Sequence, residues 1–163
     1  MPNSSLLLVL SAAGVLLGGL PAQAEGLPKR FEFGRIPLGA AVYRVPQWAV
    51  KSSCRSKAEL LSCSFFDSSG VKYNLVDGYV CTKTFHVDAE NKHRLPYGIK
   101  YERSKADVIS YLSEKLKLKF AENDKRTVVS DELAPEVFDG SAIILGFDKN
   151  NKVASIELWS LCT

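Results

Sequence analysis

His86 and His93 are the two histidines of the 163-residue chain, and the two side chains whose usual titration range suits general base chemistry near neutral pH. Thr84, His86 and Asp88 alternate along a strand-like run, so one face could carry a hydroxyl, an imidazole and a carboxylate together. Their order and spacing match no nucleophile motif, and no G-x-S-x-G turn is present. A zinc pair of His86 and His93 has no third ligand indicated. The chain contains no H-E-x-x-H, no G-x-G-x-x-G and no phosphate-cradling loop. Asp148-Lys149-Asn150-Asn151-Lys152 offers Asp and Asn oxygens as a calcium loop does, but lacks that motif's glycine and closing glutamate, so a plain turn is expected. The expectation is a protein without catalytic residues, cofactor or metal.

Cysteine chemistry is the stronger signal. Cys54, Cys63, Cys81 and Cys162 form an even set without a C-x-x-C pair, which favours two disulfides over metal binding in an exported chain. Three pairings are possible. Cys54–Cys63 with Cys81–Cys162 is preferred, the first pinning a short loop for about 2–3 kcal/mol and the second tying the terminal strand to mid-chain for roughly 4–5 kcal/mol.

Export itself is read from the amino terminus. Leu6 to Leu20 is almost wholly apolar and shorter than the roughly 20 residues of a spanning helix, and Pro21-Ala22-Gln23-Ala24 ends in a small-x-small cleavage pattern. Residues 1–24 are therefore expected to be a signal peptide, and 25–163 a single disulfide-bonded domain in the periplasm or outside the cell. No cysteine follows the apolar run, so a lipoprotein-type anchor there is not expected. No later segment is apolar enough to span a membrane after cleavage. A net charge of +3 is too small to suggest nucleic acid, and 46% hydrophobic with 24% charged residues is ordinary globular composition.

The elements that would position any site follow from periodicity. Residues 25–35 read as a polar lead-in, and Pro46 limits Ala40 to Val50 to one short helix or an irregular turn. Strand-like runs occupy Glu59 to Asp67, Val71 to Val76 and Tyr79 to Val87, with Asp77-Gly78 a strong hairpin signal. Ser104 can cap a helix in which Val108, Ile109, Leu112 and Leu116 share a face, and Asp107 completes a capping box. The period switches to that of a strand near Lys117. Residues 121–140 suggest a hairpin with a long connection. A final hairpin pairs Ser141–Phe147 with Lys152–Leu161; in it Ala154, Ile156 and Leu158 should face one side and Val153, Glu157 and Trp159 the other. The expected fold is α+β, an antiparallel sheet with one or two helices on one face.

Charge is uneven: residues 92–126 hold ten basic against five acidic residues, and 127–148 hold five acidic and no basic ones. An acidic loop around Asp131, Glu132 and Glu136 could dock on a basic protein groove. Aromatic residues on any uncovered sheet face would be natural anchors, Trp159 first and Tyr79 beside it.

Ile36-Pro37-Leu38-Gly39 and Leu95-Pro96-Tyr97-Gly98 each open a predicted helical region and are each followed by a hairpin, suggesting repeats over 31–90 and 91–163. Leu95-Pro96-Tyr97-Gly98-Ile99 with Ser104, Val108 and Leu112 resembles the entry of the β-lactamase-inhibitor-protein-like family. The small outer-membrane assembly lipoproteins of the SmpA/OmlA type share that unit. No Gly-x-Pro follows the second helix, and Pro46 interrupts the first. The resemblance implies tandem helix-plus-sheet repeats whose helix-free sheet face grips a partner protein. The expected function is an inhibitor or immunity-type protein that binds another protein; a carrier of a lipid or glycan is the alternative.

Overall fold

The computed structural model describes residues 27–54, 62–133 and 140–162. The expected signal peptide and Glu136 lie outside the described residues. Among the described residues eight strands form one antiparallel sheet: β1 (Lys51–Ser52), β2 (Ser62–Phe66), β3 (Val71–Val76), β4 (Tyr79–His86), β5 (Phe120–Glu122), β6 (Thr127–Ser130), β7 (Ala142–Phe147) and β8 (Val153–Trp159), with α1 (Lys105–Leu116) between β4 and β5. The spatial order is β1-β2-β3-β4-β8-β7-β6-β5. Each four-stranded meander thus ends at the centre, where β4 pairs with β8.

The helix begins and ends for local reasons. Ser104 accepts a hydrogen bond from the Asp107 amide at 3.2 Å, and its hydroxyl meets the Asp107 carboxylate at 2.7 Å. Lys117 turns left-handed at φ 59° and stops it. Val108, Leu112 and Leu116 are buried in the same apolar cluster as Ile143, Leu145, Ile156 and Leu158 of the sheet. The helix therefore covers the core face of the second half.

Among the described residues the first half has no such helix. Ile36-Pro37-Leu38-Gly39 opens an irregular segment, so of the two forms expected for Ala40–Val50 the irregular turn is found, and the helical region expected at the start of the first repeat is not. The lead-in exposes Lys29, Arg30 and Arg35 but also anchors in the core: Leu27 and Phe31 are buried, Phe31 in a 3-10 turn, and Leu38 just beyond it is buried too. Trp48 meets Phe65 and Tyr73 edge-on at 5.9 and 6.1 Å, and those two rings stack at 5.1 Å. Coil thus takes the place on the first meander that α1 takes on the second.

Both disulfides have the preferred pairing, Cys54–Cys63 and Cys81–Cys162, with Cα–Cα distances of 4.4 and 5.5 Å. They suit an oxidising environment. The last hairpin corrects one facing assignment. A register shift between Gly146 and Phe147 puts Val153 opposite Phe147, and both are buried on the core side, whereas Ser155, Glu157 and Trp159 stay on the other. Among the described residues no helix is long and apolar enough to cross a membrane.

Candidate functional site

The histidine trio does not assemble. Thr84 is buried and its hydroxyl donates to Glu157 Oε2 at 3.2 Å, while His86 is exposed. The Asp88 carboxylate is turned into its own loop, where Oδ1 accepts from the amides of Glu90 and Asn91 at 2.8 and 2.9 Å. Asp148 Oδ1 likewise accepts from the amides of Asn150 and Lys152, both at 2.8 Å, which makes the Asp148–Lys152 turn a self-capped one. Among the described residues no three His, Cys, Asp or Glu side chains are placed to share a metal ion.

Cross-strand register defines the second sheet face. Ser64, Asn74, Thr82, Trp159 and Ala142 form one row, and Lys51, Phe66, Lys72, Thr84, Glu157, Ile144 and Val129 the next. Val76 opposite Tyr79 begins a further row at the tip of the β3–β4 hairpin, because the bulge at Cys81 restores the alternation between Tyr79 and Thr82. Val108, Leu112 and Leu116 of α1 and Phe31 and Leu38 of the first-half coil pack into the core on the opposite side.

Apolar exposure concentrates at one end of it. Among the described residues the large exposed hydrophobic side chains are Tyr43 (89%), Val50 (61%), Leu161 (51%), Tyr79 (50%) and Val76 (45%), and all but Val50 gather where β3 and β7 meet the ends of β4 and β8. Residues 39–42 run beside the hairpin tip, the Val42 amide donating to Gly78 O at 2.7 Å and Ala41 bridging Tyr79, which brings Tyr43 to the same place. Trp159 is half-buried one row away, opposite Thr82. Leu161 lies against Gly140, whose left-handed backbone leaves no room for a Cβ beside it.

The acidic candidates reach the same end. Asp131 follows β6 and accepts the Lys119 amide at 3.0 Å, and Glu132 accepts the Gly140 amide. The structure thus brings Trp159, Tyr79, Asp131 and Glu132 to one end of the sheet. Sequence reasoning missed Val76 and Leu161. A signal existed for Val76, which directly precedes the Asp-Gly turn on the parity of Lys72 and Asn74.

What holds the first-half coil in place is a buried cation. Lys83, on the core face of β4, donates to Glu32, to Phe33 O at 2.7 Å and to Ile36 O at 3.1 Å. Its side chain is fully buried, and Glu32 is 17% exposed. Burial pulls the Lys83 pKa down, with the Glu32 charge opposing that shift. Glu32 Oε1 also accepts the Leu38 amide at 3.0 Å, which fixes the start of the run leading to Tyr43. Tyr97 donates to Phe31 O at 2.7 Å from the other half, with its own φ at 62°. Burial raises the Tyr97 pKa, and the Glu32 charge adds to it; burial also raises that of Tyr73, whose hydroxyl donates to Asp67 Oδ2 at 2.8 Å.

No family model, no curated protein and no solved structure matches this chain.

Proposed function

We propose that the chain is an exported, non-catalytic protein that binds and neutralises another protein through the helix-free sheet face, in the manner of an inhibitor or immunity protein. The observation that carries the reading is the gathering of Tyr43, Val76, Tyr79 and Leu161 around half-buried Trp159 at one end of that face. Exposed aromatic groups rimmed by polar ones are typical of protein contact sites, and Tyr and Trp dominate binding hot spots. Asp77, Asp131 and Glu132 supply an acidic rim, so a partner with a basic contact surface fits. The disulfides and the apolar leader support action in the periplasm or outside the cell. The resemblance to the β-lactamase-inhibitor-protein-like family supports the same face, and the mirrored strand order suits a tandem origin of the two meanders.

The test is affinity isolation from envelope and secreted extracts with oxidised protein, comparing wild type with a Tyr79→Ala, Trp159→Ala variant. One stoichiometric protein recovered with wild type and lost with the folded variant is expected. A partner retained by that variant would remove the face from the account.

A further inference from the structure

The opposite end of the sheet holds a cleft of about 440 Å³ between the β2–β3 turn, residues 33–34 and the loop after β4. It is about 24 Å along β4 from the aromatic end, at roughly 3.4 Å per strand residue. Its volume falls in the range of small-molecule sites. Phe33 and Pro96 line it with half-buried apolar surface, backed by buried Val71 and Phe85.

The walls are set by hydrogen bonds made without any ligand. Asp67 Oδ1 accepts from the Ser69 amide, the Ser69 hydroxyl and the Val71 amide at 2.8, 2.5 and 3.1 Å. Asn91 accepts the Asp88 amide and donates to His86 O, each at 2.8 Å. A site whose walls are already fixed loses little freedom on binding.

Three groups on this rim have no partner among the described residues. Glu90 and Arg94 both line the cleft, form no ion pair with each other within 4.0 Å, and carry opposite charge. Gly34 presents a bare peptide N–H and C=O; its φ is +77° and a Cβ there would stand 2.4 Å from the Tyr73 hydroxyl oxygen, so glycine is required. The cleft is of mixed character, with Ser68, Ser69, Asn91 and the loop-bonded Asp88 beside its apolar side chains, and the Glu90 carboxylate and Arg94 guanidinium at its rim complement a ligand of the reverse charge pattern.

We propose that this cleft binds a small zwitterion with an apolar side chain, of the α-amino-acid type. The ligand carboxylate faces the Arg94 guanidinium, the ammonium faces Glu90, and the side chain lies on Phe33 and Pro96. This site is separate from the partner face.

The probes are L-phenylalanine, its N-acetyl derivative and its carboxamide, titrated into isotope-labelled oxidised protein to about 10 mM, the weak-binding range. Saturable amide shifts at Gly34, Gly70 and Asn91 are expected with L-phenylalanine. Each derivative lacks one charge and should bind about tenfold more weakly. Arg94→Gln should weaken L-phenylalanine to the level of the carboxamide, and Glu90→Gln to that of the N-acetyl form. Both side chains are exposed, so thermal unfolding of the variants should match wild type. The absence of a saturable shift with L-phenylalanine overturns the proposal, as do equal affinities for the three probes or unchanged binding by the two variants.

Discussion

At the residue scale, Lys83 governs how the first half closes. Its core-face position was open to inspection, since Cys81, Lys83 and Phe85 share a parity, but its partner Glu32 lies 51 residues away and no local pattern connects them. Lys83→Met leaves Glu32 and the carbonyls of Phe33 and Ile36 without their donor, and should cost about 3–5 kcal/mol in urea unfolding. Adding Glu32→Gln should recover most of that loss, because Gln can still accept the Leu38 amide. A Lys83→Met protein within about 0.5 kcal/mol of wild type would refute the tether. Tyr73 and Tyr97 give a pH signature. Their folded pKa values lie above the unfolded value, so the stability they contribute is complete below about pH 10 and declines as pH rises beyond it. Lys83 acts in the opposite sense, its lowered pKa making stability rise with pH toward about 10.4. In urea titrations between about pH 9 and 11, Tyr73→Phe and Tyr97→Phe should each lessen the alkaline decline; an unchanged slope in both would contradict the assignment.

At the scale of elements, what could be read from sequence was what local chemistry decides. The Ser104 cap, the Lys117 stop, the Asp77-Gly78 turn and the Asp148–Asn151 turn each set a boundary by short-range hydrogen bonds or backbone conformation. For Ala40–Val50 the sequence leaves a short helix and an irregular turn open, because the contact that fixes the preceding segment comes from the distant Lys83 and not from local periodicity. Val153 was misplaced because a bulge shifts parity in a way residue types do not announce. Nor could the pairing of β4 with β8 be seen, since both strands alternate well against any neighbour. Ser104→Ala should cost about 1 kcal/mol in thermal or urea unfolding. Replacing Cys81 and Cys162 with serine should cost about 4–5 kcal/mol, against about 2–3 kcal/mol for Cys54 and Cys63. The larger loop is closed by the former pair, with a sequence separation of 81 against 9. The reverse ranking would show that the terminal strand is held chiefly by its ladder.

For the whole molecule, the sheet divides labour by face and by end. One face is filled by α1 and the tethered coil, and the other carries side chains with nothing described above them. The candidates Trp159 and Tyr79 were legible as aromatics on strands; that they share an end with Val76, Leu161 and the acidic residues Asp131 and Glu132 depended on topology. The central claim is that this end of the helix-free face meets a protein partner. Site-specific photo-crosslinking in the native envelope tests it most directly, with a benzophenone side chain at Tyr79 and a control at Ala106, exposed on α1. The account predicts one discrete protein adduct from position 79 and none from position 106. An adduct of equal yield from the helix, or none from position 79 while the helix position crosslinks, would contradict it.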